Sequence, residues 1–215
     1  MSITAEMVRD LREKTGAGMM ECKKALVEAN GNMDKAIEGL RVSGLAKAEK
    51  KTGRVASEGA CISYIHGDGK IGVLVEVNCE TDFVAKTDDF KNLCKDIAMH
   101  IAAAAPLFVT RQEVTADLIE KERKIFLQQV LESGKPQNIA EKIVEGKIGK
   151  YYQDICLMEQ AFIKDPAQTI EQMIKAQIAK IGENISVRRF ARFVLGEGIE
   201  KKVDNLAEEV AKLKQ

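Results

Sequence analysis

Three polar residues in the middle of the chain, Glu80, Asp82 and His100, are of types that act as general acids or bases in enzymes. A carboxylate pair with a histidine could move protons on a small molecule. The three residues form no recognised catalytic constellation, however, and an enzyme built on them would leave the neighbouring Phe83 without a role. We therefore rank a small-molecule enzyme below a protein that acts by binding a partner.

Motifs that hold phosphates, metals or nucleophiles are missing from the sequence. It contains no GxxxxGK(S/T) loop, no GxGxxG after a predicted strand, no HExxH and no GxSxG. Its two histidines, His66 and His100, offer little for a metal site or a triad, and His66 is expected in an exposed turn. We therefore expect no catalytic residues, no cofactor and no bound metal.

The cysteines are odd in number, widely spaced and never arranged as CxxC, which argues against both a disulfide framework and a zinc site. We expect them to be small buried side chains. They are Cys22, Cys61, Cys79, Cys94 and Cys156.

Two segments carry apolar side chains where the local pattern does not require them. Met19 and Met20 open a helix whose core stripe is already filled, so at least one is expected on the surface, where flexible thioethers suit a binding face. The alternative is that a methionine fills the helical bundle. Phe83 and Val84 lie in a predicted loop, and burying one such side chain is worth about 1.5 to 3 kcal/mol. We expect this loop to pack either in the protein's own core or in a partner.

A basic cluster near the end of the chain, Arg188, Arg189 and Arg192, could indicate RNA binding. The arginines alternate with Val187, Phe190 and other apolar residues as a strand with one polar side does, which favours a structural role. Aromatic residues make up 5% of the chain and tryptophan is absent, which disfavours a stacking platform for single-stranded nucleic acid.

Apolar residues at helical spacing predict three short helices in an N-terminal domain, residues 1–44. A basic segment without an apolar stripe, 45–57, is expected to be a linker. We predict a core domain over 58–198 and a C-terminal helical module over 199–215, the latter from Val203, Leu206, Val210 and Leu213.

The core domain begins with two β-branched runs, Gly59–Ile65 and Ile71–Asn78, joined by a glycine-rich turn typical of a hairpin. A helix N-capped by Thr87 should cover the apolar face of the second strand, and the late strand Ser186–Leu195 should join the hairpin. Between them we predict helices over 113–132, 137–152 and 166–180, with an extended stretch over 153–164. The fold class is α+β: a three-helix bundle followed by a small antiparallel sheet packed with helices.

The composition limits the kinds of protein that this chain can be. The chain has 215 residues, of which 45% are hydrophobic and 31% charged, which is typical of a globular protein. Thirty-three basic residues balance 33 acidic ones, so we expect no direct nucleic-acid partner and no acidic membrane surface. No apolar run is long enough to span a bilayer and the N-terminus lacks signal-peptide features, so we expect a cytoplasmic location.

Four motifs then resemble one family over nearly the whole chain. LREKTGAGMMECKKAL, VNCETDFVAKTDDF, IAMHIAA, and KIGENISVRRF with LGEGIEK closely resemble bacterial translation elongation factor Ts. The resemblance implies a ubiquitin-associated-like N-terminal bundle and a guanine-nucleotide exchange factor, not an enzyme, that binds elongation factor Tu in its GDP-bound and nucleotide-free forms. Long members duplicate the sheet-and-helix subdomain and carry a coiled-coil insertion. This chain resembles the short form, for which a homodimer is a hypothesis.

The resemblance also implies roles for individual residues. Four match a loop that enters the partner and dislodges its magnesium so that GDP leaves: Thr81, Asp82, Phe83 and Val84. Four match N-terminal residues that contact the GTPase domain beside the nucleotide: Arg12, Met19, Met20 and Lys23. His100 matches a contact with a more distal part of the partner and is expected at the edge of its helix's apolar stripe. A buried core histidine is the alternative for His100, and a non-catalytic protein-binding scaffold is the alternative for the whole chain.

Overall fold

The N-terminal part of the computed structural model, which describes residues 3–199, is a bundle of three helices. They are α1 (Ala5–Thr15), α2 (Met19–Glu28) and α3 (Met33–Glu49). The side chains of Thr4 and Asn32 cap α1 and α3 by accepting backbone N–H groups, as their residue types favour. The bundle buries Val8, Leu11, Cys22, Ala25, Leu26 and Ala36. The three predicted helices are confirmed.

Helix α3 is longer than predicted and extends into the segment expected to be a linker. Its last five residues run from Leu45 to Glu49, and Ala48 is fully buried in the core of the following domain. A Cβ atom on Gly44 would lie 3.3 Å from the Cβ of Ala179, which belongs to a later helix, Ile170–Ile181. Helix α3 and that helix therefore touch along small residues. Small side chains give no apolar stripe in the sequence, yet they allow close helix packing. The remaining domain boundaries stay predictions.

A three-stranded antiparallel sheet with the order β1-β2-β5 forms the centre of the second domain. Its strands are β1 (Glu58–His66), β2 (Ile71–Cys79) and β5 (Ile185–Val194). Ile62 faces Val75 across the hairpin, and Val75 faces Phe190 across the second pair. The predicted hairpin, and the joining of the late strand to it, are confirmed.

Gly59 is required at the start of β1. Its φ is +136°, and a Cβ atom there would lie 2.1 Å from the carbonyl oxygen of Val77 on the neighbouring strand. No other residue fits that contact without moving the backbone.

The inner face of the sheet is covered by helices α5 (Asp88–Ala104) and α8 (Ile170–Ile181). Thr87 N-caps α5 through the Phe90 N–H, as predicted. Residues from the sheet and both helices form one core, which includes Val75, Val77, Phe90, Leu93, Ile97, Ile101, Ile174 and Ile178.

The outer face of the sheet remains in solvent. Ile65, Leu74 and Phe193 are exposed there, because alternate residues of a strand point to opposite sides. Cys61 also points outward from β1 and is exposed, so the expectation that all the cysteines are buried is wrong for this residue. The other four are buried.

Helices α6 (Ala116–Glu132) and α7 (Gln137–Ile155) form a pair with a small core of their own. That core consists of Val130, Ala140, Val144 and Ile148. Both helices were predicted, although α6 begins later and α7 ends later than expected.

The segment after α7 differs most from the prediction. The stretch expected to be extended contains a 3₁₀ turn (Leu157–Glu159), and a short hairpin follows, β3 (Ala161–Phe162) with β4 (Asp165–Thr169). The next helix was predicted from residue 166 but begins at Ile170, because Thr169 and Gln172 form a reciprocal capping box.

The predicted C-terminal helix over Val203–Leu213 lies outside the described residues. Within 3–199, no helix has both the length and the apolar character needed to cross a bilayer.

Candidate partner-binding site

The segment predicted as an apolar loop is a short helix, α4 (Asp82–Ala85), between β2 and α5. Its two apolar side chains, Phe83 and Val84, differ in solvent exposure. Val84 packs against the main core, whereas the side chain of Phe83 is 79% exposed. Of the two alternatives left open by the sequence, burial in the protein's own core is therefore wrong for Phe83.

Helix α4 is anchored at its N-cap residue, Thr81. The carboxylate of Glu183 accepts hydrogen bonds from the backbone N–H groups of Glu80 (3.1 Å) and Thr81 (3.0 Å) and from the Thr81 hydroxyl (2.7 Å). That hydroxyl in turn accepts the N–H of Val84 at 3.4 Å, which makes Thr81 the N-cap of α4. The Cys79 thiol donates to the Thr81 carbonyl oxygen at 3.1 Å. Burial, together with the charge of Glu183, raises the pKa of the Cys79 thiol to about 11, so it stays protonated as a donor.

The two carboxylates near Phe83 are engaged in separate contacts. Asp82 accepts a hydrogen bond from Lys86 at 2.6 Å, and this contact lowers the pKa of Asp82 below its usual range. Glu80 accepts the backbone N–H of Asn184 at 2.6 Å and lies 3.6 Å from Arg54. Asp82 and Glu80 thus contact different parts of the protein, and neither contacts His100.

His100 is fully buried, which is the alternative that the sequence left open for this residue. Its Nε2 lies 2.9 Å from Oε1 of Gln160, and its ring lies 6.2 Å from that of Phe162, centroid to centroid. Burial lowers the pKa of His100. The segment that follows α7, which covers this side of α5, was not foreseen from the sequence. A partner cannot touch the imidazole in this structure.

The four predicted N-terminal contact residues all lie on the surface. Met19 is 50% exposed and Met20 75% exposed, and Arg12 and Lys23 are exposed as well. The α1–α2 turn therefore presents two thioethers and two cationic side chains to solvent.

Helix α8 connects this turn to the region of α4. The stem of Lys180 packs on the turn, since a Cβ atom on Gly16 would lie 3.2 Å from its Cε, and its ammonium binds Asp89 in the first turn of α5 at 2.9 Å. Glu183, three residues further on, holds Thr81. Both predicted contact groups are thus attached to the end of one helix.

Comparison with known proteins identifies the family. A family model described as elongation factor TS matches residues 5–197 of the chain. The chain belongs to the elongation factor Ts family.

Relatives named elongation factor Ts match this chain over almost their whole length. The protein of Acetivibrio thermocellus is 62% identical over 210 residues, and the match covers 98% of both chains. That of Geobacter sulfurreducens is 62% identical over 211 residues with the same coverage, and that of Heliobacterium modesticaldum is 63% identical over 208 residues, 97% of both chains. The family places the protein among the translation elongation factors, and these relatives share its length.

In this elongation factor Ts family member, sequence reasoning missed two residues of the site, Lys180 and Glu183. Both stand in or beside the KIGENISVRRF motif that supported the resemblance. Their partners, Asp89 and Thr81, lie about one hundred residues earlier in the chain. No local periodicity signals a contact of that separation.

Within residues 3–199, no group of three or more histidine, cysteine or acidic side chains is arranged to hold a metal ion.

Proposed function

We propose that this protein is the guanine-nucleotide exchange factor of elongation factor Tu. The observation that carries the proposal is the exposure of Phe83, 79% in solvent, on a helix whose N-cap residue, Thr81, is fixed by hydrogen bonds. A large aromatic side chain held away from its own core is typical of an anchor that fills a pocket in a partner. The protein would act in the cytoplasm, where translation factors work.

In the proposed mechanism Phe83 enters the GTPase domain near its switch II helix. Thr81, Asp82 and Val84 complete the inserted segment. Asp82, which carries a charged carboxylate, directly precedes Phe83 in the sequence. Displacement of the switch II helix disturbs the magnesium site of the partner, and its phosphate-binding loop then releases GDP. The burial energy of Phe83 is gained only in the opened partner, which supplies the difference in affinity that a population shift requires.

The α1–α2 turn forms the second part of the proposed interface. Met19 and Met20 would pack on the GTPase domain beside the nucleotide, and Arg12 and Lys23 would add charge complementarity at the rim. The attachment of this turn and of α4 to the end of α8 supports their acting on one partner together. His100 has no part in the proposed interface, because it is buried.

Exchange then follows from reciprocal coupling. If the factor weakens GDP binding by a given ratio, GDP weakens binding of the factor by the same ratio. The factor therefore captures the nucleotide-free GTPase, and an incoming nucleotide ejects it. GTP prevails through its abundance.

We further propose that the functional unit is a homodimer built on the outer face of the sheet. Ile65, Leu74 and Phe193 form an exposed apolar surface there, and the charge of Glu76 beside it is already paired with Arg188 and Arg189. The described chain has one three-stranded sheet where the resemblance implies two in the long members. Packing of this face against a second copy about a two-fold axis would supply the missing unit.

The test is the release of a fluorescent GDP from elongation factor Tu in the presence of magnesium. We expect acceleration by the wild-type chain and a loss of at least about thirtyfold with Phe83→Ala, equivalent to a hot spot of roughly 2 kcal/mol. Leu107→Ala is the control, because it removes another exposed large apolar side chain. It should leave the rate unchanged. If wild type and Phe83→Ala both bind the GTPase without changing release, the protein is a non-catalytic scaffold and the exchange proposal fails.

A further inference from the structure

The carboxylate of Glu183 accepts three hydrogen bonds from two consecutive residues, Glu80 and Thr81, immediately before the Phe83 helix. We propose that Glu183 is the positioning residue of the exchange segment: it holds Thr81 so that Phe83 is presented to the GTPase in one orientation. This inference rests on the proposed exchange function and assigns a role to a residue that would not itself touch the partner's nucleotide.

The hydrogen-bond directions support this role. A carboxylate only accepts, so the Thr81 hydroxyl must donate its proton to Glu183. The lone pairs of that hydroxyl are then free to accept the N–H of Val84. Glu183 thus fixes the direction of the hydroxyl hydrogen of Thr81, the residue that caps α4. Without the carboxylate, the Thr81 hydroxyl could rotate. Its capping hydrogen bond with the Val84 N–H would then be only one of several conformations of this side chain.

Glu183 is itself held in a rigid turn. Gly182 ends α8 with a φ of +93°, a left-handed conformation that glycine adopts readily, and this turns the chain back toward β2. Lys51 donates to the carbonyl oxygen of Gly182 at 2.5 Å, and the Asn184 amide group donates to that of Arg54 at 2.7 Å.

The end of β2 and the turn after α8 are also joined by a hydrogen bond in the opposite direction. The backbone N–H of Asn184 donates to the side chain of Glu80, while the backbone N–H of Glu80 donates to the side chain of Glu183. This reciprocal pair attaches the end of β2 to the turn after α8. The support for Thr81 is therefore a fixed part of the fold.

Helix α4 needs such support because it cannot order itself. It has four residues, far fewer than an isolated helix requires to be stable in water. Phe83 gains little packing from its own protein, since most of its side chain is in solvent. An orientation fixed before binding spares the complex the cost of ordering the segment on association. The anchor at Thr81 supplies this pre-organisation.

The experiment compares Glu183→Gln with Glu171→Gln in the GDP-release assay, each alone and combined with Phe83→Ala. Glu171 is the matched control, because it lies at the start of α8, far along the helix from the Glu183 turn, and forms a partly exposed pair with Lys175. We expect Glu183→Gln to lower the maximal release rate about tenfold, or ~1.4 kcal/mol. The factor concentration at half-maximal rate should change little, since the α1–α2 turn is intact. In the Phe83→Ala background Glu183→Gln should have no further effect.

A second measurement is independent of the GTPase. Amide hydrogen exchange over residues 79–86 should speed up in Glu183→Gln and remain at the wild-type rate in Glu171→Gln, with circular dichroism confirming that both variants are folded. Unchanged amide exchange, an unchanged maximal rate, or an equal loss of rate with and without Phe83 would overturn the positioning role. If wild-type protein fails to accelerate GDP release, the exchange function is wrong, and protection of the Glu80 and Thr81 amides then decides whether Glu183 anchors the segment.

Discussion

The Nε2 atom of His100 lies 2.9 Å from Oε1 of Gln160, and this contact selects the tautomer of the neutral imidazole. The amide nitrogen of Gln160 is occupied by the carbonyl oxygen of Asp154 at 2.7 Å, so its oxygen faces the histidine as an acceptor. Nε2 therefore carries the proton in the neutral ring. Nδ1 is buried and has no hydrogen-bond partner among the described residues. A second proton on Nδ1 would place an unpaired charge in the core.

Stability is therefore expected to fall as the pH decreases from about 7.5 to 5.5. Burial lowers the pKa of His100 in the folded state, so the unfolded chain binds a proton near its ordinary pKa of about 6.5 while the folded chain does not. The loss is limited to about 1.4 kcal/mol per pH unit for one group. Urea unfolding at several pH values measures it. His100→Gln should remove most of this dependence, whereas His66→Gln at the exposed end of β1 should retain it. A wild-type free energy of unfolding that is flat over this range would contradict the prediction.

The cysteines should differ sharply in reactivity. Cys61 is exposed, whereas burial raises the pKa of Cys79 and Cys156 to about 11 and that of Cys94 to about 12. Thiolate is the reactive form, so a chromogenic disulfide reagent at pH 8 should modify one thiol quickly in the native protein and all five after denaturation.

Cys61 also reports on the proposed homodimer, because it lies on the outer face of the sheet opposite Glu76. Its modification should slow as the protein concentration rises through the dimer dissociation constant. Cys61→Ser serves as the blank. A rate that is independent of concentration, together with a monomer mass by sedimentation, would exclude a dimer through this face.

Alanine at two glycines should have opposite effects on stability. Gly59→Ala places a Cβ atom 2.1 Å from the Val77 carbonyl oxygen and forces the hairpin apart, so we expect a loss of more than about 2 kcal/mol. Gly146 lies within α7, and a Cβ atom there meets nothing within 4 Å. Gly146→Ala should stabilise the protein by roughly 0.5 to 1 kcal/mol, because glycine is a poor helix former. Thermal unfolding of both variants tests the pair, and similar midpoints would count against the strand crowding.

Met20→Ala should weaken binding to elongation factor Tu without unfolding the bundle. Its side chain is largely in solvent, so we expect a change in the free energy of unfolding within about 0.5 kcal/mol. Leu26→Ala, at a fully buried position of the same helix, should cost about 2 to 5 kcal/mol. Calorimetric titration of the GTPase gives the affinity. Wild-type affinity in Met20→Ala would remove the methionine from the proposed interface.

Features set by local pattern could be predicted from the sequence. The alternation of Val73, Val75 and Val77 gave the buried face of β2, and the glycine-rich turn gave its pairing with β1. The exposure of one of the two methionines, Met19 and Met20, followed from a helix stripe that was already complete, and the structure exposes both. In each case the information lies within a few residues of the feature.

Features that depend on distant contacts could not be predicted. Helical geometry gives the direction of His100 around α5, but it does not say what covers that direction. Gln160 and Phe162 do so, from a segment whose hairpin has only two residues in its first strand. The hold of Glu183 on Thr81 is likewise invisible to periodicity, since it spans 102 residues.

The end of α8 gives the molecule a fixed span between its two proposed points of contact. Lys180 contacts the α1–α2 turn and Glu183 holds the N-cap of α4, and only Ile181 and Gly182 separate them. Because the α1–α2 turn and α4 are both linked to the end of α8, the distance between Met20 and Phe83 is set before a partner binds. A single residue inserted after Lys180 would turn the chain that follows by about 100° around the helix axis, so the contacts of Lys180 and Glu183 could not both form.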